Sequence, residues 1–404
     1  MASCRACDGE TDPFLDLGRQ PLSDAFVLPE DVTEEFTYHL TVTCCVRCGM
    51  VQLADEVPRE RMFHQGYPFR TASSRRMTEH FRAVADGLVA RSGRTDPFVV
   101  EIGCNDGTML RRLAERGVRH LGVDPSADAV REAVGAGVQA LCAFFEEDCA
   151  RRIREQHGPA DVLFAANTLC HIPYLDSVLR GAQALLADDG VLVFEDPSWE
   201  DIVRLGSFDQ IYDEHFYLFS ARSVDALATA HGFTLVDVEH VDVHGGELRY
   251  TLARAGGRSR GSAPQQAIAR ERALGLTDPA TLSRFAERVE GKRAALLDLL
   301  GAARDGGRQV AGYAATAKSA TVLNYCGIGP DLLPCVYDTT PEKQGRLTPG
   351  THIPVRAFPE HAEALPDTYL LLAWNHTAEV MAKESAFRER GGRWIRYVPD
   401  VEVV

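Results

Sequence analysis

Short apolar runs alternate with stretches of helical spacing through most of this chain. Runs at 98–102, 120–124, 162–166 and 191–195 read as strands, and the segments between them as helices, one of them over 109–116. Strand and helix in alternation predict a parallel α/β sheet, and the pair 234–238 and 250–253 predicts a closing hairpin. Leu282, Phe285, Val289, Leu296 and Leu300 then recur at helical spacing, so 277–304 is predicted as one connecting helix. A second, smaller α/β unit follows, with strands expected at 309–313, 335–338, 369–374 and 394–398. Ahead of both units, 14–18 and 51–53 are expected as short strands of a separate module. The chain thus divides into residues 1–68, 69–276 and 277–404. The Gly/Arg/Ser stretch at 256–262 reads as a solvated loop, and no internal repeat at a fixed period is visible.

Length agrees with that division, because single cores stop growing at about 250 to 300 residues and this chain has 404. No apolar run approaches the roughly 18 residues that would span a bilayer, and the N-terminus carries cysteines where a signal peptide needs an apolar stretch. No membrane partner is therefore expected, and the cytoplasm is the expected location. A net charge of −15 disfavours broad contact with phosphate backbones, so nucleic acid is not an expected partner.

The most informative motif is Val99-Val100-Glu101-Ile102-Gly103-Cys104-Asn105-Asp106-Gly107, followed by Leu121-Gly122-Val123-Asp124. It has the grammar of a nucleotide-binding strand, turn, helix and second strand, with an acid placed to grip a ribose diol. A dinucleotide site needs Gly-x-Gly-x-x-Gly to bring amides against a pyrophosphate. This turn has Gly-x-x-x-Gly, and its acids Glu101 and Asp106 would repel phosphate and suit the cationic sulfonium and amino groups of S-adenosylmethionine. The expected cofactor site is Glu101, Gly103, Asn105, Asp106, Gly107 and Asp124, with Asn167 directly after the strand at 162–166.

Five of the eleven cysteines cluster as Cys4-Arg5-Ala6-Cys7 and Cys44-Cys45-Val46-Arg47-Cys48. Two Cys-x-x-Cys knuckles let four thiolates close a tetrahedral shell around zinc, with Cys4, Cys7, Cys45 and Cys48 as ligands. Cys44 is the spectator, since adjacent residues in an extended segment point to opposite sides. A redox pair is the alternative, and it would leave the second knuckle unexplained. Four protein ligands leave no open position, so the zinc is expected to be structural. Cys104, Cys142, Cys149, Cys170, Cys326 and Cys335 are scattered and expected in the core.

Two further segments carry candidate chemistry. Gly312-Tyr313-Ala314-Ala315-Thr316-Ala317-Lys318-Ser319 follows a strand and opens a helix, where amides and Lys318 could meet an anion such as a sugar nucleotide's diphosphate. It lacks the second glycine and the Gly-Lys-Ser/Thr ending of an ATP-binding loop, and an exposed lysine on an ordinary loop is the plainer alternative. Ile211-Tyr212-Asp213-Glu214-His215-Phe216-Tyr217-Leu218-Phe219-Ser220 packs a phenol, two carboxylates and an imidazole beside aromatics. A supported histidine can act as general base and a tyrosine can donate to an oxygen on which charge develops. A helix N-terminus with an exposed histidine explains the same residues equally well. His244-Gly245-Gly246 is either a second polar element of a site or a hairpin bend.

Taken together these segments resemble the zinc-containing sugar C-methyltransferases of deoxysugar biosynthesis, which act on nucleotide-linked ketosugars. The resemblance runs over essentially the whole chain. It rests on both cysteine knuckles, the second followed by Gly49-Met50-Val51-Gln52-Leu53; on Glu101-Ile102-Gly103-Cys104-Asn105-Asp106-Gly107; and on Phe194-Glu195-Asp196-Pro197. It also rests on Asp209-Gln210-Ile211-Tyr212-Asp213-Glu214-His215, His244-Gly245-Gly246, Asn324-Tyr325-Cys326-Gly327, Lys343-Gln344-Gly345 and Thr348-Pro349-Gly350-Thr351-His352-Ile353-Pro354. The resemblance implies an α/β protein with an N-terminal zinc-binding module, a central Rossmann-like S-adenosylmethionine methyltransferase domain and a smaller Rossmann-like C-terminal domain. It implies structural Zn2+ and a sugar nucleotide, usually dTDP-linked, between the central and C-terminal domains. His215 would be the base with Tyr212 and Glu214 in support, and Tyr313, Lys318, Asn324 and His244 would meet the substrate. The sequence departs from the family pattern in Gly312-Tyr313-Ala314-Ala315, where a further glycine is expected, and in Glu247, where a small residue often follows the paired glycines.

The implied reaction is C-methylation of a 4-ketosugar, at C3 or C5 with C3 the expected position, through an enolate raised by His215. An O- or N-methyltransferase would keep the cofactor site without needing a ketone.

Overall fold

The computed structural model describes residues 3–62, 71, 74–359 and 365–404. The division expected at 68/69 falls outside the described residues. Three sheets account for the strands, one in each part of the chain.

The N-terminal sheet is antiparallel. It is built from β1 (Thr11–Pro21), β2 (Thr37–Cys45) and β3 (Val51–Leu53). The run expected at 14–18 is the middle of β1, which is longer because register shifts after Pro13 and Asp16 let it bend along β2. Strand β2 adds to the expected strands, and Tyr38, Leu40 and Val42 alternate in it with His39, Thr41 and Thr43 at a strand's period of two.

The central sheet comprises β4 (Phe98–Ile102), β5 (Arg119–Asp124), β6 (Ala140–Cys142), β7 (Ala160–Ala166) and β8 (Leu186–Pro197), all parallel, with the hairpin β10 (Phe233–Val241) and β11 (Glu247–Arg254) at one edge. Its order is β10-β11-β8-β7-β4-β5-β6, with β11 antiparallel to β8. Chain direction through the sheet reverses at β4, and the crevice beyond its carboxyl end is where such sheets bind ligands. Both faces are covered, and Val99, Val100, Val162, Leu163 and Phe164 have no exposed surface. The intervening strand β9 (Tyr217–Leu218) leaves this sheet and pairs with β3, closing the N-terminal sheet from the other side.

The long helix is Pro279–Asp305, and Leu282, Phe285, Val289, Leu296 and Leu300 form its buried stripe. Lys292 lies in the same stripe. Its Nζ donates to Leu205 O at 3.0 Å and Tyr397 O at 2.8 Å, so this helix clamps the central unit to the C-terminal one. The C-terminal sheet has order β14-β13-β12-β15-β16-β17, from β12 (Val310–Tyr313), β13 (Val336–Tyr337), β14 (Val355–Arg356), β15 (Thr368–Leu371), β16 (Arg393–Arg396) and β17 (Glu402–Val403). Its first five strands are parallel, and its order reverses at β12. Both larger units are therefore doubly wound α/β sheets, as expected. Among the described residues no helix is long and apolar enough to cross a membrane.

Candidate active site and metal centre

The four cysteines of the two knuckles converge. Their sulfurs lie within 4.8 Å of one another, with Cys4 Sγ 3.6 Å from Cys48 Sγ and Cys7 Sγ 3.5 Å from Cys45 Sγ. Zinc bonded to sulfur at about 2.3 Å sets the edges of its tetrahedron at about 3.8 Å, so this cluster fits the ion closely. The knuckle amides of Ala6 and Cys48 point at Cys4 Sγ and Cys45 Sγ, 3.4 and 3.5 Å away, and offset thiolate charge. Cys44 stays outside the cluster, its thiol directed at Cys45 O. Of the six scattered cysteines five are buried, whereas Cys142, on the edge strand β6, is exposed.

A cavity of about 1210 Å³ opens beyond the carboxyl ends of β4 and β12, and all three parts of the chain line it. On the central side its wall includes Gly103, Asn105, Asp124 and Asn167. Gly103 has φ of +73°, and a Cβ there would sit 2.3 Å from Thr168 Oγ1, so the turn tolerates no side chain at that point. Asp124 Oδ2 accepts from Asn105 N at 2.9 Å and Oδ1 from Ser126 N at 2.8 Å, which fixes the carboxylate at the cavity wall. That arrangement fits an adenosyl ribose.

Three expected cofactor residues stand behind this wall. Asp106 accepts from Thr108 N and Thr108 Oγ1, at 3.1 and 2.6 Å, just before the helix Thr108–Glu115. Gly107 packs against Ala133 and Val138, and Glu101 is buried within β4, where burial and the nearby Asp106 and Asp124 raise its carboxyl well above the ordinary range. The turn chemistry of Asp106 and Gly107 makes the site's shape without their facing the cavity.

The segment 211–220 is not a helix N-terminus with an exposed histidine. His215 is 2% exposed, and the next helix, Ala221–Ala230, starts beyond it, capped by Ser220. Tyr212, Glu214 and His215 all line the cavity. His215 Nδ1 lies 2.6 Å from Gln210 O, and Nε2 lies 2.9 Å from Tyr212 Oη. A carbonyl only accepts, so Nδ1 carries the proton and the Nε2 lone pair takes the Tyr212 hydroxyl. Burial, with His171, Lys318 and His244 nearby, holds the imidazole well below the ordinary histidine range, so it is neutral. The His171 ring stacks on it, with centroids 5.2 Å apart. Asp213 faces away, accepting from Ser23 N at 3.0 Å, and burial raises its carboxyl to about 7.

His244 lines the cavity from the turn between β10 and β11. At Gly245 a Cβ would lie 2.2 Å from the Trp374 ring, so the paired glycines let the hairpin bend pass under the C-terminal unit. Trp374 Nε1 and Tyr397 Oη both donate to Asp209 Oδ2, at 2.5 and 2.9 Å, pinning the segment that carries His215 to the same unit. Tyr313 and Lys318 line the opposite wall, but Asn324 does not. Its Nδ2 donates to Ala320 O and Pro349 O, at 2.8 and 3.0 Å, and ties the helix Ala317–Cys326 to the 349–350 turn. The pattern readings missed Asp24, His171, Asp338, Lys343 and His376, which also line the cavity. His171 was within reach of sequence reasoning, since it ends the short 3-10 turn Leu169–His171 beyond the carboxyl end of β7, where ligand-facing residues gather.

Three family models match the chain in succession. They are a "Putative zinc binding domain" over residues 4–63, a "Methyltransferase domain" over 68–238 and a "C-methyltransferase C-terminal domain" over 242–399. The chain is similar along its length to the C-methyltransferase NovU of Streptomyces niveus, 34% identical over 408 residues that cover 99% of this chain and 96% of that one. It is 24% identical over 139 residues to the ubiquinone biosynthesis O-methyltransferase of Colwellia psychrerythraea, covering 32% of this chain and 53% of that one. Among solved structures, magnesium protoporphyrin IX methyltransferase of Synechocystis with bound S-adenosylmethionine aligns at 15% identity and a TM-score of 0.34, over 44% of this chain and 79% of that one. With a tetrathiolate centre, a doubly wound cofactor domain and end-to-end similarity to a C-methyltransferase, the chain belongs to the zinc-containing, S-adenosylmethionine-dependent C-methyltransferases.

Proposed function

We propose that this enzyme methylates C3 of a nucleotide-linked 4-keto-deoxysugar, with dTDP as the expected nucleotide, and that His215 is the base. The observation that carries the reading is the neutral, buried imidazole of His215, its Nδ1 proton held by Gln210 O and its Nε2 on the Tyr212 hydroxyl, in the cavity that Asp124 also lines.

Carbon is a poor acid unless a neighbouring carbonyl can take the charge, so C-methylation with a neutral imidazole as base calls for a ketone substrate. S-adenosylmethionine supplies an electrophilic methyl group when bound. Asp124 and the Gly103 turn orient it from the central side. Once the Tyr212 hydroxyl turns from Nε2 to the ketone oxygen, His215 Nε2 takes the proton from the carbon beside the ketone, while Nδ1–H stays on Gln210 O, and the imidazolium so formed is stabilised there. Tyr212 and Glu214 hold the imidazole and the ketone oxygen in register. The electron pair left on that carbon would take up the methyl group that S-adenosylmethionine supplies, and the sulfide would leave with the electrons of the broken sulfur–methyl bond. Enclosure by three units excludes water and fixes the alignment of the two carbons.

Mass spectrometry on a panel of dTDP-4-ketosugars tests this reading. The expected result is the mass gain of one methyl replacing one hydrogen, lost when the ketone is first reduced to an alcohol. Methylation that persists on the reduced sugar would overturn the C-methylation reading in favour of O-methylation.

A further inference from the structure

Cys170 and His171 end the short 3-10 turn Leu169–His171 beyond β7. By spacing, Cys170 is one of the scattered cysteines. It has no exposed surface, and its amide donates to Asp196 Oδ1 at 3.4 Å, which ties the turn to the end of β8. Its sulfur stands in one cluster with a ring nitrogen of His171 and one of His215, all three ligand atoms within 4.8 Å of one another. Among the described residues, the tetrathiolate of the zinc module is the only other such group.

A thiolate with two imidazoles is a donor set that suits zinc. Two imidazoles bound to one tetrahedral zinc at about 2.0 to 2.1 Å hold their ring centres about 5 Å apart, and those of His171 and His215 are 5.2 Å apart. The tautomer is set as well. His215 Nδ1–H rests on Gln210 O, the kind of contact that orients a metal-binding imidazole, and leaves Nε2 as the ligand. Burial keeps both imidazoles neutral, His171 at about 3, so neither has a proton to lose before binding. The Cys170 thiol has one to lose, and burial raises it well above the ordinary thiol range. A site with three ligands and one such thiol binds more weakly than the tetrathiolate, which therefore fills first. The Tyr212 hydroxyl, 2.9 Å from Nε2, has to turn away for an ion to enter.

We propose that Cys170, His171 and His215 form a second, weaker site for zinc, and that an ion held there silences the enzyme by occupying the lone pair of His215 Nε2. The ion gains one bond to each side chain, the Cys170 proton leaves to solvent, and nothing is oxidised. Hard cations such as Mg2+ do not suit a thiolate. The silencing rests on the reading of His215 as the base, whereas the site itself does not.

The test uses the full chain already holding one equivalent of zinc, with Co2+ as the probe of the second site. Deuterium exchange from solvent into the ketosugar, with S-adenosylhomocysteine bound, reads proton removal. The wild type is expected to take up one equivalent of Co2+ while elemental analysis shows its zinc retained, and to develop a thiolate-to-cobalt charge-transfer band. Its exchange should then fall by about 10² to 10⁴, the contribution of a positioned general base. Cys170→Ala is expected to bind S-adenosylhomocysteine like the wild type and to keep exchanging when Co2+ is added. A wild type that takes up no second equivalent, or shows no such band, overturns the site whatever the variant does. A Cys170→Ala enzyme inhibited like the wild type overturns it too. Uptake with the band but with undiminished exchange upholds the site and overturns the silencing, together with the reading of His215 as the base.

Discussion

At His215 the chemistry is decided by a backbone carbonyl. Gln210 O fixes the proton on Nδ1, and burial keeps the ring neutral, so the base is ready without any other group having to ionise. The free form is the active one and its pKa is lowered, so proton removal should stay level as pH falls from 8 to the ordinary histidine value of about 6.5 and decline only below it. The pH profile of solvent exchange into the ketosugar checks this, and a decline centred at or above 6.5 would contradict it. Asp124 is the corresponding residue on the cofactor side. Asp124→Ala should weaken S-adenosylmethionine binding about tenfold or more, from the loss of about 1.5 to 3 kcal/mol of hydrogen bonding to a charged group. Unchanged affinity by calorimetry would remove Asp124 from the cofactor site. Tyr212, Glu214 and His215 could be read as one constellation because they are near neighbours in sequence. Asn324 could not be read correctly, because only the structure shows its amide spent on Ala320 O and Pro349 O.

Among the elements, the segment that carries His215, the proposed base, is held by the zinc module. Phe216 O accepts from Leu53 N at 3.0 Å, β9 pairs with β3 immediately after His215, and Asp213 receives Ser23 N. The metal therefore organises a sheet whose last strand begins two residues beyond the base. Cys45→Ser should lose zinc, since three ligands no longer close the shell, whereas Cys44→Ser should keep it. Elemental analysis decides between them. If the zinc-depleted enzyme still folds, its turnover should fall by an order of magnitude or more while its affinity for S-adenosylhomocysteine holds, since the cofactor turn lies on the central sheet. Equal loss of both would show that the module supports the whole protein rather than the base's segment. The two-residue strand β9 was illegible in sequence, because two apolar residues carry no periodicity and its partner lies in another unit.

In the whole molecule, three units meet around one cavity, and each supplies something that the others cannot. The central unit brings the cofactor turn and His215, the proposed base, the zinc module braces the His215 segment, and the C-terminal unit covers both through Trp374, Tyr397 and Lys292. The α/β plan was legible because strands buried on both faces read as apolar runs, and the long helix because its stripe is regular. Convergence on the cavity was not legible, since Asp24, His171 and Asp338 meet only after the three units dock.

The central claim is that His215 removes the proton. With S-adenosylhomocysteine in place of the methyl donor, methyl transfer cannot occur, and deuterium entering the ketosugar from solvent reports proton removal alone. His215→Asn should bind cofactor product and sugar nucleotide like the wild type and exchange about 10² to 10⁴ times more slowly, the usual contribution of a positioned general base. Exchange at the wild-type rate in His215→Asn, with Tyr212→Phe or Glu214→Gln silent instead, would contradict the account and move the base elsewhere in the constellation.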